Sequence, residues 1–299
     1  MAYQETITDT GATPALPRVR SITPHDLMDA LFKGLEDFWA MPTHVVFLSL
    51  IYPVAGLLIA WGAFGYALLP LLYPMAAGFA LLGPFAAIGI YELSRRREQG
   101  LDTSWTHAFD LVQKDSFRSL LALGAILIAI FVIWIAVANA IYVAHFGYAA
   151  PQSLAGFGRD LLMTDAGRSM IVIGNLVGLL FALAAFVISV VAFPLLMDRN
   201  TSATAAVATS VKAVLRNPVT MALWGLIVAV ALLLGSLPLF IGLAVVIPVL
   251  GHATWHLYRK LVEPDLPARE VHPAEPKGRR SAANFPASLF PIYDKDTRE

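Results

Sequence analysis

Uncharged runs dominate the pattern of this chain. No Asp, Glu, Lys or Arg occurs from Phe38 to Tyr91, and none from Asn217 to Tyr258. Two further uncharged runs extend from Leu120 to Phe146 and from Ser169 to Met197. A bilayer core needs about 20 mostly apolar residues per helix. The first run therefore predicts two spans, with a turn near Leu69-Pro70 where proline breaks the helix. The middle runs predict one span each. The last predicts two, divided at Gly235-Ser236-Leu237-Pro238, with the sixth span bent at Pro248.

The positive-inside bias fixes the number and the orientation. With six spans and both ends in the cytoplasm, only Arg159 and Arg168 of the 21 basic residues face outward. A five-span arrangement exports the basic tail and nearly evens the balance.

Before each pair of spans the apolar spacing is helical. In the first such stretch Leu27, Ala30, Leu31, Gly34, Leu35 and Phe38 share a face, with Asp26, Asp29, Lys33, Glu36 and Asp37 elsewhere. Thr23-Pro24 is a start signal, an N-cap followed by proline at the first helical position. The second stretch runs from Thr103-Ser104 through Trp105, Ala108, Phe109, Val112 and Phe117, and the third from Thr201-Ser202 through Ala206, Val207, Val211, Val214 and Leu215. The second and third align without gaps: Thr103-Ser104 on Thr201-Ser202, Ala108 on Ala206, Lys114 on Lys212, Arg118 on Arg216. The first aligns more loosely, with Ala30 on Ala206 and Pro42 on Pro218. The expectation is three copies of one unit, an amphipathic cytoplasmic helix followed by a two-span hairpin. Such helices can lie among anionic headgroups, act as stiff connectors, or pack over the mouth of the bundle. Their long apolar faces favour packing.

Composition agrees with lipid as the main solvent: 58% hydrophobic, 14% charged, mean hydropathy +0.67, against about 25% charged in a soluble domain. Basic and acidic residues balance at 21 each, which leaves no electrostatic case for nucleic acid. The absence of cysteine removes disulfides, thiolate metal sites and cysteine nucleophiles. The opening MAYQETITDT has no basic region before an apolar core, so a cleavable signal peptide is not expected. Residues 1–20 read as a disordered tail, 21–261 as the membrane domain, and 262–299 as a flexible proline-rich cytoplasmic tail. That tail carries Lys277-Gly278-Arg279-Arg280 and an apolar patch at Phe285, Leu289, Phe290, Ile292 and Tyr293, open either to docking a partner or to resting on the protein itself.

Candidate chemistry is sparse. No ionisable residue falls mid-span, so proton relays and voltage sensors have no candidates. Glu92, beside Arg95, Arg96 and Arg97, is expected to be neutralised by them. Ser189 has no histidine at its depth, and soluble-enzyme motifs are missing. Asn139 and Asn175 are expected to bond between helices, with Gly174 and Gly178 allowing close approach. The sharpest constellation is Gly251-His252-Ala253-Thr254-Trp255-His256-Leu257-Tyr258-Arg259. His252 and His256 are four apart and face one way, a workable pair of metal or haem ligands. His44 and His107 belong to the same side. The plainer reading is a headgroup-level belt made by Trp255, Tyr258 and Arg259.

The strings Ala30-Leu31-Phe32-Lys33-Gly34-Leu35-Glu36-Asp37-Phe38 and Pro248 to Arg259 resemble a bacterial integral membrane family filed as a domain of unknown function. The resemblance covers roughly 20–261. Some members carry a cytochrome c oxidase subunit label, which implies a place beside a respiratory complex. The seven scattered histidines, with His25 and His272 outside the membrane, depart from a catalytic oxidase subunit.

The expectation is thus an all-α membrane protein with about six transmembrane helices in three hairpins, in the bacterial inner membrane. It is read as non-enzymatic, without a cofactor, and as an accessory, assembly or scaffold component of a membrane complex. The alternatives are a small-solute channel or transporter, and a haem- or metal-binding protein using His252 and His256.

Overall fold

The computed structural model describes residues 16–41, 68–104, 116–238 and 240–264. By its contacts the chain divides into two units, Met1–Glu263 and Pro264–Glu299, and all described residues but Pro264 lie in the first. Every regular element among them is a helix, apart from one antiparallel bridge between Val19 and Val262.

Helix α1, Pro24–Ala40, starts where the sequence places it. The Asp26 carboxylate accepts from both the N–H and the hydroxyl of Thr23 at 2.8 Å, and Pro24 occupies the first helical position. The expected break at Leu69-Pro70 is a 3₁₀ turn, Leu69–Leu71. It leads into α2 (Leu72–Phe79), α3 (Gly83–Ala86) and α4 (Ile88–Glu98). Next are α5 (Phe117–Phe146), the short α6 (Leu154–Met163), α7 (Asp165–Ser189) and its continuation α8 (Ala192–Asp198). Last come α9 (Ala203–Arg216), α10 (Pro218–Ser236) and α11 (Leu243–Leu261).

Four of the described stretches are long and apolar enough to cross a membrane: Leu69–Glu98, Phe117–Phe146, Asp165–Asp198 and Pro218–Ser236. They correspond to the second to fifth spans read from the sequence. The first expected span lies largely outside the described residues. The sixth forms α11, with Pro248 inside it, but is not among the four. Its C-terminal half is packed in protein: from Leu250 to Tyr258 every residue except His256 is buried.

Two glycines bring α11 this deep. A Cβ on Gly34 of α1 would stand 2.6 Å from the Ala253 nitrogen and 2.8 Å from its Cα, so the two backbones touch there. A Cβ on Gly251 would meet the Ile90 side chain of α4 at 2.8 Å. Helix α11 is therefore wedged between α1 and α4. The contact at Gly34 also decides which face of α1 is inside. Leu27, Ala30, Gly34 and Phe38 are buried as expected, but Leu35 is exposed, and Asp37, expected on the polar face, is only 3% exposed. Asp37 follows Gly34 by three residues, so a crossing centred on Gly34 carries it inward.

The end of α11 is pinned by the chain before α1. Arg20 N–H donates to the Leu261 carbonyl (2.7 Å) and Glu263 N–H to that of Arg18 (3.0 Å). The buried amide of Asn217 holds the same segment: its Oδ1 accepts from Ile22 N–H (2.8 Å) and its Nδ2 donates to the Arg20 carbonyl (3.0 Å). Outward faces of α5, α7 and α10 remain apolar, with Val132, Leu176, Leu180, Leu226 and Leu233 exposed, as helices bathed in hydrocarbon require.

Candidate functional site

At the crossing of α1, α4 and α11 five polar side chains meet. Asp37 comes from α1, Ser94 and Arg97 from α4, His252 and His256 from α11. Asp37 Oδ2 accepts from the Ser94 hydroxyl (2.7 Å) and from His256 Nε2 (2.9 Å), and its Oδ1 is paired with the Arg97 guanidinium. Ser94 Oγ lies 2.6 Å from His252 Nδ1. The serine has a single proton, which it gives to Asp37, so His252 Nδ1 is the donor in that contact. The lone pair of His252 is then on Nε2. That nitrogen is fully buried and has no hydrogen-bond partner among the described residues.

Burial works against ionisation of Asp37. The hydrogen bond and charge of His256, then the Ser94 hydrogen bond, outweigh it and hold the carboxyl below its ordinary value. Breaking such a set exposes a buried charge without partners, whereas keeping it intact fixes helix positions.

A ring of further pairs surrounds the cluster. Glu98 accepts from Trp255 Nε1 and Arg259 Nε, both at 3.0 Å. Asp198 accepts from the Tyr258 hydroxyl (2.6 Å) and from Arg259 Nη1 (3.2 Å). Lys260 bridges Asp26 (3.1 Å) and Asp29 (2.8 Å) of α1. Trp255 and Tyr258 are buried, so these two residues of the expected headgroup belt face protein partners instead. Glu92, 1% exposed, is neutralised as expected, by Arg95 at 2.7 and 2.9 Å.

The structure thus places His252 and His256 on one side of α11, and both approach Asp37 Oδ2, His256 Nε2 at 2.9 Å and His252 Nδ1 at 3.7 Å. One is held by Ser94, the other by Asp37. Among the described residues no three His, Asp or Glu side chains converge to hold a metal ion. His44, His107 and His272 lie outside the described residues, and His25 is exposed. Elsewhere, Asn175 bonds between helices as expected, accepting from the Tyr73 hydroxyl of α2 (2.8 Å). Asn139 is exposed and has no hydrogen bond among the described residues. A Cβ on Gly178 would meet Trp134 at 3.0 Å, but Gly174 faces open space. Ser189 donates to the Ala185 carbonyl of its own helix (2.6 Å). Asp37, Ser94 and Arg97 are the members that sequence reasoning missed. Their only outward sign is that Asp37 falls inside the first of the two strings that carry the family resemblance, and those two strings pack against each other as α1 and α11.

That resemblance has a counterpart in the comparison with family models. Residues 72–198 match the family DUF2189, described as a predicted integral membrane protein. The matched DUF2189 segment runs from α2 to the end of α8 and supplies Ser94 and Arg97, while Asp37, His252 and His256 come from helices on either side of it. The site is therefore built where the DUF2189 segment meets its flanks. The family description says nothing of an oxidase. No curated protein and no solved structure matches the chain.

Proposed function

We propose that this chain is a non-enzymatic scaffold or assembly component that docks a partner of a bacterial inner-membrane complex through α1. The observation that carries the reading is a second apolar face on that helix. Met28, Phe32, Leu35 and Trp39 succeed one another at spacings of four, three and four, and all are exposed, Phe32 at 59% and Trp39 at 68%. A four-residue apolar stripe at helical spacing is the pattern of helix-in-groove recognition. The opposite face of α1 is fixed by the Gly34 contact, the Asp37 cluster and Lys260, so the stripe is held in a set orientation. Four of the five charged residues of α1 are acidic, which disfavours anionic lipid as the occupant and favours an apolar groove of another membrane protein, a respiratory complex among the candidates.

A photo-crosslinking residue at Phe32 or Trp39, in cells, tests this. The expected result is one discrete protein adduct at these positions and none at Leu176 on the lipid face. Adducts with lipid alone at Phe32 and Trp39 overturn the reading.

A second reading, haem or metal binding at His252, is favoured by the orphaned Nε2. A nitrogen oriented by a hydrogen bond to the opposite ring N–H is the usual preparation of a histidine ligand. Metal analysis and an absorption spectrum of protein purified from membranes decide it. A bound metal or a Soret band lost in His252→Ala supports this reading, and a metal-free, colourless protein removes it.

A further inference from the structure

Helix α9 is an amphipathic helix like α1, but its charge is opposite in kind. Its sequence contains Lys212 and Arg216 and no carboxylate. The two cations stand one turn apart on an exposed face. Lys212 has no ion-pair partner among the described residues, and Arg216 donates to the Ser21 hydroxyl (3.2 Å). Ala208, Val211 and Leu215 share this face of α9, an open and mostly apolar surface around the two cations. Leu215 is 73% exposed at its edge.

The helix that succeeds α9 identifies the occupant. After Asn217 the chain enters α10, one of the four stretches fit to cross a membrane. On α10, Val219, Leu223, Leu226, Val230 and Leu233 recur at spacings of four, three, four and three, and all are exposed, Val219 at 79%. A lipid-facing stripe thus follows, along the chain, a face of α9 that carries two cations. A cationic face followed by an apolar stripe is the complement of a phospholipid with an anionic headgroup, its phosphate at Lys212 and Arg216 and its chains on the α10 stripe.

We infer that the α9–α10 junction is a binding site for an anionic phospholipid, selecting it over zwitterionic lipid through Lys212 and Arg216. Full-length protein in mild detergent is titrated with dioleoylphosphatidylglycerol or dioleoylphosphatidylcholine, and bound lipid is counted by native mass spectrometry. Two cations near a phosphate predict roughly tenfold or greater preference for phosphatidylglycerol. Lys212→Gln with Arg216→Gln abolishes that preference, Lys212→Arg keeps it, and Arg159→Gln with Arg168→Gln, at the other membrane face, leaves it unchanged. Equal binding of the two lipids, or a preference that survives the double substitution, overturns the proposal. So does displacement of phosphatidylglycerol by millimolar inorganic phosphate at fixed ionic strength, which makes free phosphate the ligand. A photo-crosslinker at Leu215 that labels the chain's own tail instead of lipid also overturns it.

Discussion

Asp37 draws its partners from far along the chain: Ser94 is 57 positions away and His256 is 219. No local pattern encodes such a meeting, which is why the histidine pair was legible from its spacing of four and its carboxylate was not. The helical wheel of α1 puts Asp37 at the margin of the apolar stripe, and only the backbone contact at Gly34 decides the side. Asp37→Ala leaves Ser94, His256 and Arg97 without their acceptor. Removing one member of a buried charged set costs about 3 kcal/mol, and at roughly 2–4 °C per kcal/mol the thermal midpoint in detergent is expected to fall by about 6–12 °C. Asp37→Asn, which keeps the volume and one acceptor, is expected to lose less. Gly34→Ala tests the crossing itself. Its new methyl meets main-chain atoms of Ala253 that no rotamer change can move, so a loss of about 1–3 kcal/mol or more is expected, with midpoint and Asp37-dependent effects falling together. If Gly34→Ala has wild-type stability, α1 and α11 do not touch at this residue.

At the scale of the helix, capping was the most legible feature and tertiary register the least. Thr23-Pro24 starts α1 as the sequence predicts, and Ser202 caps α9, its hydroxyl oxygen accepting from Ala205 N–H (3.2 Å). The ends of these two helices share a geometry. Met41 (φ −132°, ψ 46°) and Asn217 (φ −127°, ψ 50°) have nearly the same backbone conformation, and each N–H returns to the carbonyls three and four residues before it. Each also precedes a proline, Pro42 or Pro218, at the offset that aligns the first and third stretches of the expected repeat. A residue before proline is held out of the α region, which accounts for the likeness at both ends. Of the second expected stretch, from Thr103 to Phe117, residues 105–115 lie outside the described residues. The start of α1 carries a pH prediction. Backbone and side-chain hydrogen bonds from Thr23, and then Lys260, pull the Asp26 carboxyl down to about 2. A lowered carboxyl pKa stabilises the fold above the ordinary value of 3.8 and loses that contribution as pH falls through about 2. The thermal midpoint should therefore decline between about pH 4 and pH 2, and Asp26→Asn should shrink this decline. An unchanged profile in Asp26→Asn removes Asp26 from the balance.

For the whole molecule, the uncharged runs made the membrane architecture legible, while α11 departs from a plain lipid-facing span because its polar half is buried by other helices. Which distant segments are bonded together bears on the count of crossings. Asp37 pairs with Arg97, so the chain crosses an even number of times between them. Leu69–Glu98 is long and apolar enough for one crossing, and the expected first span lies outside the described residues. Glu98 and Asp198 both hold Arg259, consistent with the pair of crossings at Phe117–Phe146 and Asp165–Asp198. Asn217 and Leu261 both bind the Arg20 backbone, so any crossing by α10 is reversed before Leu261, as the expected sixth span would do. Parity thus calls for an even number of crossings without using the positive-inside bias, and four of the described stretches are fit to make one each. Alkaline phosphatase fused after Glu299 should be inactive, while insertions at Gln152 and at Leu237 should be active, because the enzyme folds only outside the inner membrane. Activity at both Glu299 and Leu237 would leave Leu261 and Asn217 on opposite sides of the bilayer, where their shared hydrogen bonds to the Arg20 backbone could not form.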